Sequence, residues 1–197
     1  MFPETLVSER LRLERLTDEL VDVYDLYALC GGAQGTGGDV AVRPDVGAGG
    51  ALLDFPHATV KETYDFLGES QRRWREGEAA TYGVTVEGDV VGLATLEPDW
   101  ERRTGNLALW LAPAERGREY AQEVGDLLVD VVFDDLDLDL VAVHHDVGAD
   151  TARRALEKFL ERNGGRFEAR IRNAVNRGGE LVDQRRYTLS RAEYRDE

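Results

Sequence analysis

The chemistry most readily read from this chain lies in Ala114-Glu115-Arg116-Gly117-Arg118-Glu119-Tyr120-Ala121. Ahead of this stretch, Leu107-Ala108-Leu109-Trp110-Leu111 is an apolar run stopped by Pro113. Behind it, apolar residues recur at helical spacing as far as Val132. The first backbone N–H groups of a helix have no internal partner, and the helix dipole adds partial positive charge at that end. Arg116 and Arg118 place two full charges beside them. Strand, basic glycine-containing loop and helix start together make a seat for a phosphate or pyrophosphate.

Around this loop the pattern is mixed α/β. Leu6–Leu13 alternates as a half-buried strand does, and Thr17 is positioned to cap a helix over Asp18–Leu29. Residues 30–50 are rich in glycine and poor in large apolar groups, which reads as a long loop. Thr59 caps a second helix, Val60–Glu76. Strands follow at Ala80–Val86 and Val90–Leu96, joined through Glu87-Gly88-Asp89, a hairpin signal. Gly105–Leu111 is the strand leading into the basic loop. Leu138–His145 reads as a central strand, and Thr151–Asn163 as a helix stopped by Gly164-Gly165. Arg166–Asn173 and Glu180–Leu189 complete the order, joined around an Asn176-Arg177-Gly178-Gly179 turn. At 197 residues without an internal repeat or linker, a single domain over 1–197 is expected.

Composition narrows the function classes. The formal charge is −15, from 39 acidic and 24 basic residues, and Lys61 and Lys158 are the only two lysines. Such a surface gains solubility but repels itself unless salt screens it, so adaptation to a salty cytoplasm is the leading compositional reading. Basic residues interspersed with acids do not form the clustered cations a nucleic-acid binder needs. Cys30 is the sole cysteine, which permits no internal disulfide and offers no Cys/His metal spacing. No apolar run approaches a membrane span, and Met1-Phe2-Pro3-Glu4 opens no signal core. The expected location is cytoplasmic, with no membrane partner, as a monomer or homodimer.

The basic loop resembles the coenzyme A loop of the GCN5-related N-acetyltransferases, Gln/Arg-x-x-Gly-x-Gly/Ala after a strand similar to "YWL-x-P". Arg116 and Ala121 fit that pattern, and Glu119 stands where the family has its central glycine. Other segments point to the ribosomal-protein-alanine acetyltransferase-like (RimJ/RimL-like) branch. Ser8-Glu9-Arg10-Leu11-Arg12-Leu13 resembles its opening strand, Val91-Gly92-Leu93-Ala94 an inner strand, and Ala155-Leu156-Glu157-Lys158 its "vlEK" helix. Asp183 and Tyr187–Tyr194 resemble its closing segment.

The resemblance implies a single acetyltransferase domain: a mostly antiparallel sheet splayed between its middle strands and flanked by helices. It implies acetyl-CoA as co-substrate and direct acetyl transfer to a primary amine, such as a protein N-terminus, with the acceptor unidentified. Cofactor contacts would fall on Leu111, Ala112, Arg116, Gly117, Arg118, Tyr120 and Ala121, with pantetheine between Leu107–Leu111 and Leu138–His145. A backbone N–H near Leu111 or Ala112 would polarise the thioester carbonyl. The acceptor amine must react neutral, so a base is wanted. His145 and Glu97 are the candidates, and His144 must point to the face opposite His145. Tyr120, Tyr82 and Tyr187 are possible donors to the leaving thiolate. The glycine-rich loop is placed where this fold builds acceptor sites.

Departures from the pattern define a second reading. The branch's Asn-x-x-Ser pair falls on Ala149 and Ala152, its strand acid on Asn106, and Glu119 puts a carboxylate where a pyrophosphate approaches bare backbone. Glu119 therefore needs to turn outward or pair with Arg118. A degenerate relative that keeps the fold as a binding module is the alternative to an active enzyme.

Overall fold

The single strand expected over Leu6–Leu13 is two strands, split where Ser8-Glu9-Arg10 breaks the apolar–polar alternation. In the computed structural model, which describes residues 1–30, 57–147, 150–177 and 180–195, β1 (Thr5–Val7) and β2 (Arg12–Arg15) pair as an antiparallel hairpin. Ser8 makes the turn: its N–H reaches the Leu11 carbonyl at 3.0 Å and its hydroxyl lies 3.3 Å from both Leu11 N and O. The first helix is also shorter than Asp18–Leu29. Thr17 caps only a turn, accepting from Leu20 N at 3.2 Å, and α1 (Val23–Leu29) starts afresh behind Asp22, whose carboxylate accepts from Tyr24 N.

Helix α2 (Val60–Glu76) has the ends its sequence dictates. Thr59 accepts from Glu62 N, Glu62 reaches back to Ala58 N at 2.8 Å, and Gly77 closes the helix in the left-handed region at φ 73°. β3 (Ala80–Val86) and β4 (Asp89–Asp99) form the expected hairpin, with Glu87 and Gly88 both at positive φ. Then come β5 (Thr104–Leu111), α3 (Tyr120–Asp130) continuing into a π-helical turn over Val131–Asp135, β6 (Leu140–Asp146) and α4 (Asp150–Asn163). β7 (Arg166–Arg177), β8 (Glu180–Ser190) and the short α5 (Arg191–Arg195) end the described chain. The glycine-rich 31–56 segment, Ala149 and the Gly178-Gly179 turn lie outside the described residues.

The strands build one eight-stranded mixed sheet in the order β1-β2-β3-β4-β5-β6-β8-β7, in which only β5 and β6 run parallel. Side chains alternate across it. Leu107, Leu111, Val141 and Val143 pack with Tyr120, Val124 and Leu128 of α3 and Leu156, Phe159 and Leu160 of α4. On the other face Leu93, Ala108 and Trp110 pack with Leu16, Leu26 and Leu67 beside α1 and α2. No helix among the described residues is long and apolar enough to cross a membrane.

Candidate active site

The parallel ladder between β5 and β6 runs only from Thr104↔Leu140 to Leu107↔Val143. Beyond Leu107 the strands diverge while β5 stays paired to β4 as far as Gly92↔Leu111. Register then decides which backbone groups open into the gap. Ala112 N donates to Val91 O at 2.9 Å, so by antiparallel alternation the even-numbered residues of β5 point their N–H groups at β4. The odd-numbered ones, Leu109 and Leu111, aim theirs at the side that β6 has left. Of the pair Leu111 and Ala112, therefore, only Leu111 keeps a donor toward the gap; Ala112 is withdrawn by β4. Leu109 joins it, a donor that cannot be found without the register.

An apolar cleft of about 80 Å³ opens at this divergence. Leu107, Leu109 and Val143 form its sheet side, Ala121 and Gly125 its α3 side, and Ala155 and Phe159 its α4 side. Gly125 is required by the fit, since a Cβ there would lie 2.6 Å from the Phe159 ring.

The loop above the cleft descends from β5 to the α3 start. Pro113–Glu115 make a short turn, Arg116 is extended, and Gly117 takes φ 82° with nothing within 4 Å of a Cβ position. Arg116 donates to Leu111 O at 3.4 Å and makes no ion pair among the described residues. Tyr120 is buried in the core, with the Arg10 guanidinium 5.2 Å over its ring, while its hydroxyl meets Arg118 of the loop. Ala121 lines the cleft.

Glu119 holds the left-handed conformation, φ 66°, at the helix start. The partner that its position demands is Lys158 of α4 rather than Arg118, which pairs with Glu115 at 3.3 Å. Lys158 holds the Glu119 carboxyl below its ordinary range, helped by Arg10 and Arg162.

His145 and Glu97 are not brought together. Glu97 shares its face with Leu93 and pairs with Arg73 of α2 at 3.2 Å. Burial raises its pKa against the opposing pull of Arg73. His145 lies on the α4 face, stacked on Tyr187 with centroids 5.5 Å apart and 23° between planes. Its Nδ1 is 2.9 Å from the Asp146 carbonyl, which can only accept, so the proton sits on Nδ1. Nε2 then faces the Tyr187 hydroxyl at 3.5 Å, and that hydroxyl lies 3.2 Å from the Glu157 carboxylate. Burial holds the imidazole below its ordinary 6.5. Two strand spacings and three residues of offset separate Glu97 from His145, roughly 14 Å. They cannot serve the same atom directly. Tyr82 donates to Pro3 O at 3.0 Å and belongs to the core. His144 is fully buried on the face opposite His145.

The profile of the Acetyltransferase (GNAT) domain family matches residues 10–159. Among solved structures, a GCN5-related N-acetyltransferase from Brucella melitensis is 19% identical with a TM-score of 0.74, over 98% of this chain and 81% of that one. RimL, a ribosomal L7/L12 alpha-N-protein acetyltransferase solved with coenzyme A, is 16% identical with a TM-score of 0.73, over 94% and 96%. The microcin C7 self-immunity acetyltransferase MccE, solved with acetyl-CoA and AMP, is 13% identical with a TM-score of 0.73, over 96% and 97%. These likenesses establish the fold. No curated protein matches the sequence.

Proposed function

Because the chain belongs to the GNAT acetyltransferase family, we propose that it is an acetyl-CoA-dependent N-acetyltransferase of the RimJ/RimL-like branch, acting on a primary amine. The observation that carries this reading is the divergence of β5 from β6 over an apolar cleft that Ala121, in the first turn of α3, also lines. Pantetheine fits the cleft, its acyl carbonyl meeting the Leu109 or Leu111 N–H, and the pyrophosphate lies against residues 116–121. Fixed donors aimed at developing negative charge commonly contribute about 10²–10³ in rate.

Glu97 stands level with Asn106, one residue before the ladder ends, on the face lined by α1 and α2. We assign it the amine's proton, directly or through water. His145 is level with Leu109 on the other face; its Nδ1 proton is held by the Asp146 carbonyl and its bare Nε2 faces the Tyr187 hydroxyl. Tyr187 therefore gives its proton to the departing thiolate and regains one from solvent, with His145 orienting that hydroxyl. Glu119, with Ala149 and Ala152 in place of the branch's Asn-x-x-Ser pair, favours the second reading, a fold kept for binding without transfer. An acetylation assay on peptide N-termini and small amines separates the two: transfer of label establishes the enzyme, and tight cofactor binding without transfer to any amine establishes the module.

Arg116 makes no ion pair among the described residues and is the loop cation left for an incoming anion. Arg116→Ala should weaken coenzyme A binding by about 1.5–3 kcal/mol, the range for hydrogen bonds to charged groups, as measured by calorimetry. Unchanged affinity would remove the loop from the site.

The acidic surface supports a salt-adapted origin. With a net charge of −15 and two lysines, repulsion should be relieved by screening, so the melting temperature should rise from dilute buffer to molar KCl. A flat melting temperature over that range would contradict the adaptation.

A further inference from the structure

The cations around the α3 start share an arrangement that phosphate binding alone does not call for. Arg10 pairs with Glu123, which also accepts from Ser8 at 2.6 Å; Arg118 pairs with Glu115, Arg162 with Asp126, and Lys158 with Glu119. Every one of these four cations is neutralised by a carboxylate of the same chain. Glu119 differs from the other acids in its position. It is the residue at the α3 N-terminus, its side chain caps no backbone N–H, and its charge sits in the field that favours an anion. A carboxylate there stands in for a phosphate, and Lys158 is the cation it has drawn across from α4. Both side chains are more than half exposed, and an exposed pair of this kind is held weakly.

We propose that Lys158 is a reserve ligand for the cofactor pyrophosphate: Glu119 occupies its ammonium until the pyrophosphate reaches the α3 start, and Lys158 then exchanges one anion for the other. The inference rests on the acetyl-CoA reading above and adds to it a ligand and a gate. A diphosphate carries more charge than one carboxylate and meets the helix N–H groups as well, so the exchange runs toward the cofactor. Released from Lys158, Glu119 turns to solvent, which its exposure allows.

The test is a cycle of coenzyme A titrations by calorimetry in dilute buffer, on wild type, Glu119→Gln, Lys158→Gln and the double variant. All three variants change exposed side chains, and circular dichroism verifies that they fold. Glu119→Gln should bind tighter than wild type, by up to about fivefold, the scale of an exposed ion pair. The double variant should bind about fivefold more weakly than Glu119→Gln, because Lys158 then has no role except toward the ligand. That ratio should persist with dephospho-coenzyme A, which keeps the pyrophosphate and lacks the ribose phosphate. Equal affinities for Glu119→Gln and the double variant would reduce Lys158 to a neutraliser of Glu119 and overturn the proposal while leaving the cofactor reading intact. Loss of the ratio with dephospho-coenzyme A would overturn the assignment to the pyrophosphate. No binding by any of the four proteins at millimolar ligand would overturn both the exchange and the cofactor reading.

Discussion

Ala155→Trp should abolish acetyl-CoA binding and leave the fold intact. Ala155 is exposed on α4, so a larger side chain meets solvent rather than the core, yet it also forms part of the cleft wall opposite Leu107 and Leu109. An indole projecting from this wall into the cleft displaces whatever lies between β5 and α4. Losing roughly 150 Å² of apolar contact at about 25 cal/mol per Å² costs about 4 kcal/mol, or several hundredfold in affinity. Ala155→Ser should bind as wild type does. Calorimetry on both variants, with melting curves as the control for folding, checks the result. Wild-type affinity in Ala155→Trp would show that pantetheine takes another path.

Leu128→Ala should cause the largest loss of stability among single changes near the site. Leu128 is 1% exposed on α3 and belongs to the core cluster that holds that helix to the sheet. Truncating a buried leucine removes transfer free energy and leaves a cavity, together about 3 kcal/mol. At about 2–4 °C per kcal/mol for a chain of this size, the melting temperature should fall by about 6–12 °C in a thermal scan. A fall under about 2 °C would mean that α3 is not held by this cluster.

Local chemistry was legible where it is complete within a few residues. Thr59 with Glu62, and Glu87 with Gly88, specify a helix start and a tight hairpin by side-chain capping and backbone conformation alone, and both stand where their residues place them. The β1–β2 hairpin was missed because its turn residues, Ser8-Glu9-Arg10, contain no Gly, Pro or Asn to mark a turn, although three polar residues in a row do interrupt the period-two alternation. Thr17 and Asp22 are both good capping residues, and their order in the chain does not say which one starts the helix. The basic loop before α3 could be read from sequence, being contiguous. The donors beside it could not: which N–H of β5 faces the gap follows from one hydrogen bond to β4 and the register it fixes. Lys158 was hidden for a similar reason. It lies 39 positions from Glu119, and only the packing of α4 against α3 brings them together. The signal was Glu119 itself, a charged residue in a conformation and position suited to glycine, which calls for a cation from elsewhere in the fold.

Titration of the wild-type protein with acetyl-CoA, followed by calorimetry in concentrated KCl where the acidic surface is screened, tests most directly whether the cleft between β5 and β6 holds this cofactor. One site per chain with affinity at or below the micromolar range is predicted, accompanied by the negative heat-capacity change that burial of an apolar arm produces. A folded protein that releases no heat and shows no shift in melting temperature at millimolar acetyl-CoA would contradict it.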